Sequence, residues 1–303
     1  MHRKYTSLFV TFYIIMFMES QRNNSSLGEY SILRMNGEVK PHPYLRFECG
    51  DKDMYCLGPL HGRSFVVGRM GNGRYVISKG NGLSYTHHSF INTGEYGNDT
   101  LGLLLRKDAE RDFTLGMEIE ALGIKTNHME CIIEINKKLQ MPDGSQIKPV
   151  LLQYDVECPY RICDAPFMTK EQIQKEVDKW QSMNDRSFNE NYMIAANILI
   201  RNLRILHDHK ILHNAIHEQN YTWALELLDF ELSCSPAHPY DREDYQRHAI
   251  SLFPREIFQT YIVINYIAGV LHEDIDYIKV DRLFSDYGFY IEKYKLHYTE
   301  KSN

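Results

Sequence analysis

Several things are missing from this chain of 303 residues. Like charges do not run together, no tract is of low complexity, and no segment repeats at a fixed period. A basic stripe is absent too: the net charge of -6 excludes a sequence-independent nucleic-acid binder. The six cysteines, at 49, 56, 131, 158, 163 and 234, form no paired CxxC metal knuckles. A chain of this length needs no disulfide framework. Cys158 and Cys163 could bridge or simply sit in a loop, and the reduced reading places the protein in the cytoplasm. The apolar stretch Leu8–Met18 falls short of the ~20 residues that span a bilayer, so no firm membrane partner is expected. Behind His2-Arg3-Lys4 it has the form of a signal-peptide core. No small-residue cleavage site follows it, and a buried or interfacial N-terminal element is the alternative.

What is present is an ordinary globular composition, 43% apolar and 24% charged. Ser64–Gly68 and Arg74–Ser78 are short β-branched or aromatic runs around Met70-Gly-Asn-Gly73, a hairpin signal. Asp108–Leu122 reads as a helix, with Phe113, Met117 and Ala121 on one face and Gly123 as its stop. Strands at His128–Ile135 and Lys148–Val156 flank a turn at Met141-Pro-Asp-Gly144. Beyond Pro166 the pattern turns helical. Thr169 is a good N-cap for a helix towards Met183, and longer segments follow at Phe188–His209, Arg255–Leu271 and Ile275–Tyr294. A β-rich half with one helix, then an α-rich half, indicates an α+β protein. The expected division is an N-terminal extension 1–43, a first lobe 44–156 and a second lobe 157–303, with a hinge near 153–160.

The chemistry-bearing segment is His213-Asn-Ala-Ile-His217-Glu-Gln-Asn220, between a long helix and the apolar run Leu225–Leu228 that ends in Asp229-Phe230. A loop after a helix, then a strand ending in Asp-Phe, is how a kinase brings an Asn amide and an Asp carboxylate to its magnesium ions. Both groups offer the hard oxygen ligands that Mg²⁺ prefers.

These residues resemble the kinase-like superfamily, and within it the selenoprotein O family of pseudokinases. Kinase loops read HRDxxxxN; here His213 and Asn220 match, while Ala215 stands where the catalytic Asp belongs. The family's loop is similar to HGVxNTDN followed by DYG, and both span sixteen positions, His213 to Asp229 here. Met70–Tyr75 resembles its LGDGRA element, Lys79-Gly80-Asn81-Gly82 its KGAG element, and Leu105–Ile124 its LRSSIREF…ALGI helix. Pro159-Tyr-Arg161 is a fainter match. The resemblance covers about residues 62–235.

The resemblance implies a two-lobed, protein-kinase-like fold that binds ATP with Mg²⁺ or Mn²⁺. Asn220 and Asp229 become the metal ligands. Lys79, with Gly80 and Gly82, becomes the phosphate-binding element, Asp112 the partner of Lys79, and Arg161 a phosphate contact. Gln219 takes the place of the family's proposed base Asp, which leaves His217 and Glu218 as substitutes. Since Asp112 is shorter than the usual Glu, its pairing with Lys79 calls for a closer approach or a water. The expected activity is nucleotidyl transfer, placing AMP on the hydroxyl of a protein or peptide, with phosphoryl transfer as a variant. The alternative is a catalytically silent pseudokinase that acts as a binding or scaffolding module.

Overall fold

The computed structural model describes residues 29–43, 63–82, 102–140, 146–239 and 243–290. By proximity the chain divides into two compact units. The first comprises Met1–Phe113 with Met129–Pro159, the second Thr114–His128 with Tyr160–Asn303.

In the first unit, strands β2 (Ser64–Arg69) and β3 (Tyr75–Lys79) form the antiparallel hairpin expected from the sequence. Its turn is closed by Met70 and Gly73, and Gly73 takes φ +89°, a conformation open to glycine without steric cost. With β1 (Tyr30–Met35), β4 (His128–Ile135) and β7 (Val150–Val156), this hairpin makes a five-stranded sheet in the order β1-β4-β7-β3-β2. Strand β1 comes from the segment read as an N-terminal extension; it is the edge of the sheet, paired antiparallel with β4. A short hairpin, β5 (Leu139–Gln140) with β6 (Gln146–Ile147), joins β4 to β7. The Met141–Gly144 turn lies outside the described residues, as does the stretch Leu8–Met18.

All seven residues of β7 are buried, as expected of a central strand covered on both faces. One face carries Cys131, Ile133, Ile135 and Leu151 with Leu103, and Val39 packs against them. On this side Gln153 ties down the segment before Pro43. Its Oε1 accepts from His42 N and its Nε2 donates to Lys40 O, both at 2.9 Å. Lys79 lies opposite Leu152, so it points to the other face. Helix α1 (Arg106–Ala121) begins two residues before the expected Asp108.

The second unit is helical. Thr169 caps α2 (Lys170–Trp180) as expected: its hydroxyl accepts from Gln172 N, and the Gln172 side chain accepts from Thr169 N. Helix α3 (Asn191–Asp208) is followed by the loop of interest, then α4 (Glu243–Leu271) and α5 (Tyr277–Asp286). Two expectations need correction. Helix α4 starts well before Arg255 and carries Pro254 inside; the proline removes one main-chain donor without ending the helix. Helix α5 stops at Asp286 rather than Tyr294, and Gly288 at φ +76° follows as a left-handed terminator. Among the described residues no helix is long and apolar enough to cross a membrane. No disulfide joins Cys158 to Cys163; both are buried, and burial pushes the Cys163 thiol up to about 12.

The chain therefore has an α+β succession of elements: an antiparallel sheet with one helix, then a helical unit.

Candidate functional site

Within the first unit, β3 ends in Lys79, and its Nζ meets Asp112 Oδ2 of α1 at 2.7 Å. Both side chains are 2% exposed, so the pair is held away from water. The shorter Asp needs no bridging water; the direct contact forms. Gly80 and Gly82 follow, both at φ +94°. At Gly80 a Cβ would lie 2.6 Å from Leu104 Cβ and 2.7 Å from Val150 O, so the fold itself excludes a side chain there.

In the second unit a small hairpin sets the geometry. Antiparallel bridging of Tyr221 with Leu227, and the bond from Thr222 N to Glu226 O, fold residues 221–227 back on themselves. Leu228 N consequently donates to Asn220 O at 2.9 Å, which brings Asn220 beside the residue that precedes Asp229. Asp229 sits at φ +69°, a region that Asp tolerates better than most residues. The Asn220 amide is fixed because its Nδ2 donates to Ala215 O at 2.9 Å. Its Oδ1 is left to meet Arg161 Nη1 at 3.4 Å.

His213 is fully buried and braces the same loop. Its Nδ1 accepts from Ala215 N at 3.3 Å, and its Nε2 lies 2.8 Å from Leu228 O. Only the neutral ring with its proton on Nε2 satisfies both partners. Burial holds its pKa below the usual value, against the opposing pull of Glu256, the Leu228 carbonyl and Asp229. Phe230 packs edge-on to this ring with centroids 5.4 Å apart.

His217 caps the single 3₁₀ turn Glu218–Asn220, with Nδ1 accepting from Gln219 N at 3.2 Å. A neutral imidazole has one acceptor nitrogen, and here the backbone uses it. Burial also lowers the His217 pKa, with Glu218 and Asp229 opposing. Its other nitrogen, Nε2, lies 3.4 Å from Asn220 Nδ2, so both ring nitrogens are occupied by the loop's own groups. Gln219 is exposed. Arg161, by contrast, is drawn into the loop: its Nη1 donates to Gln219 O at 2.7 Å and approaches Asn220 Oδ1 at 3.4 Å.

One residue escaped sequence reasoning. Glu256, on α4 and 1% exposed, accepts from Asn214 N at 2.6 Å and from His207 Nε2 at 2.9 Å. It therefore holds the start of the loop to two helices at once. The only sequence signal was an acidic residue inside an apolar helix, 42 positions from its partner.

Asn220 Oδ1 and the Asp229 carboxylate are hard oxygen donors of the kind a divalent cation takes, and the loop engages the amide NH₂ rather than the oxygen. Among the described residues no three His, Cys, Asp or Glu side chains converge on one point. A cation here would complete its shell with water and phosphate oxygens, as Mg²⁺ does.

No family model matches the chain, and no curated protein sequence does. Solved structures do. A Stt7 homolog from Micromonas algae soaked with ATP matches at 12% identity and TM-score 0.44, over 88% of this chain and 80% of that one. The Toxoplasma gondii specific rhoptry antigen kinase domain matches at 11% identity and TM-score 0.37, over 68% of this chain and 64% of that one. ROP2 from Toxoplasma gondii, described as a virulence factor with a protein-kinase fold and no enzymatic activity, matches at 11% identity and TM-score 0.31. That alignment takes in 65% of this chain and 56% of ROP2.

Proposed function

We propose that the protein is an ATP-binding, kinase-like transferase that places a nucleotidyl (AMP) group on the hydroxyl of a protein or peptide, using Mg²⁺ or Mn²⁺. The observation that carries this reading is the buried Lys79–Asp112 pair. The carboxylate holds the ammonium in one place, so as a phosphate ligand it would arrive already oriented. Asn220 and Asp229 are the residues that would hold the divalent ion. Held there, such an ion would supply charge neutralisation to the phosphates. Arg161 adds a fork-shaped phosphate donor.

In AMP transfer the acceptor oxygen bonds to the α-phosphorus, the α–β bridge bond breaks, and pyrophosphate leaves. The hydroxyl proton goes to solvent or to a phosphate oxygen, since Ala215 and Gln219 provide no proton acceptor. The catalysis open to this chain is therefore positioning and charge neutralisation.

A second reading, a silent nucleotide-binding module, is favoured by the engaged Nδ1 of His217. ATP labelled on the α or the γ phosphate separates the two. Label from α alone supports AMP transfer; label from γ alone means phosphorylation. An ATP-dependent thermal shift with no incorporation supports the silent module, and neither signal defeats both readings.

A further inference from the structure

Arg161 reaches the loop from a backbone fixed on both sides. Trp223 N donates to Tyr160 O at 3.0 Å and Ile162 N to Tyr221 O at 2.8 Å, while Arg161 and Thr222 form an antiparallel bridge. Arg161 N itself donates to Asp164 Oδ2 at 2.7 Å. From this anchor the guanidinium meets Gln219 O and Asn220 Oδ1. Asn220 cannot turn its oxygen away, because Nδ2 is bonded to Ala215 O. The oxygen that a metal would take already faces a cation of the protein itself.

Resting on the metal reading of Asn220 and Asp229, we infer that Arg161 is a resident counter-cation that competes with a divalent metal ion for Asn220 Oδ1. A metal lies ~2.1 Å from its oxygen ligand. With the guanidinium nitrogen 3.4 Å from that same oxygen, the two cations would stand about 5.5 Å apart at most, and at that range they repel. A phosphate group reverses the situation. It takes the guanidinium in a bidentate bond and brings further oxygens to the metal. Metal and nucleotide affinity are thereby coupled through one side chain, each raising the other by the same factor.

The test is a Mn²⁺ titration of the full chain without nucleotide, reading free Mn²⁺ by its paramagnetic resonance signal. Arg161→Gln should bind Mn²⁺ about tenfold tighter or more than wild type. A non-hydrolysable ATP analogue should tighten Mn²⁺ binding in wild type and much less in the variant. Arg161→Met serves as a second neutral replacement should the first fold poorly. Equal or weaker Mn²⁺ binding in the folded variant overturns the inference. Asn220→Ala then shows where the fault lies. If it weakens Mn²⁺ binding in wild type while Arg161→Gln does not tighten it, only the competition is wrong. If neither Asn220→Ala nor Asp229→Ala alters Mn²⁺ binding in any background, the metal reading fails and takes the inference with it.

Discussion

Lys79 and Arg161 are both cations that the resemblance assigns to phosphate, and their surroundings differ in kind. Lys79, in the sheet unit, is paired charge to charge with Asp112 and is 2% exposed. Arg161, in the helical unit, is partly exposed and faces two neutral oxygens, a carbonyl and an amide. Deep in a low-dielectric interior a charge pair is hard to separate, since either partner alone bears the full desolvation cost. Charge–dipole contacts at partial exposure are weaker and exchange easily with water or anions. The Lys79 pair is the harder of the two to separate.

The sealed pair should give the largest effect. Lys79→Met leaves Asp112 buried without its cation and is expected to lower stability by about 3–5 kcal/mol in urea or thermal denaturation. Adding Asp112→Leu should recover most of that loss, because a buried pair replaced by apolar groups of similar volume is often close to neutral. A small effect from Lys79→Met alone would mean that the pair is hydrated in solution, and the contrast with Arg161 would disappear.

The loop unit has a sealed charge as well, but it lies in the support and not in the binding group. Glu256→Ala strips the Asn214 amide and His207 of their acceptor, with an expected cost of about 2–3 kcal/mol. Glu256→Gln keeps an acceptor for Asn214 N and should cost less. Equal losses in the two variants would show that charge, and not hydrogen bonding, anchors the loop.

His213 makes the loop's contribution depend on pH. Its folded pKa lies below 6.5, mainly through burial, so unfolding lets the ring take up a proton that the fold refuses. Stability from this residue is therefore complete above about pH 6.5 and is lost as pH falls below it, at up to about 1.4 kcal/mol per pH unit. His217 shifts the same way and adds to the slope. In His213→Gln the stability at pH 7 should fall while the slope between pH 6.5 and 5 flattens. An unchanged slope would place the titration elsewhere.

The sequence made local features visible and left long-range ones hidden, for physical reasons. The β2–β3 hairpin, strand β4 and the Thr169 cap each rest on a few adjacent residues, and each was legible. Lys79 and Asp112 were readable as partners only through the resemblance, because 33 positions separate them. Strand β1 was missed because none of its six residues is fully buried, and their pairing with β4 comes from about a hundred residues away. Glu256 and the Arg161–Asn220 approach went unseen for the same reason, as tertiary contacts leave no periodicity behind. The engaged state of His217 is decided by one backbone bond that residue type alone does not reveal.

The smallest expected effect on stability gives the sharpest reading of the chemistry. Gln219 is exposed and its neighbour Asn220 is held by the backbone of Ala215, so Gln219→Asp should change stability by no more than about 0.5 kcal/mol. Arg161 bonds to the carbonyl of residue 219, not to its side chain, so that contact survives the substitution. What the substitution adds is a carboxylate able to take the acceptor's proton, a contribution of about a hundredfold or more where proton transfer limits the rate. Incorporation of label from ATP should rise at least about tenfold over wild type. If it stays flat while the ATP-dependent thermal shift is kept, the missing base does not limit this loop. The weaker contact of Arg161, set against the charge pair of Lys79, would then be the next place to look for the restraint.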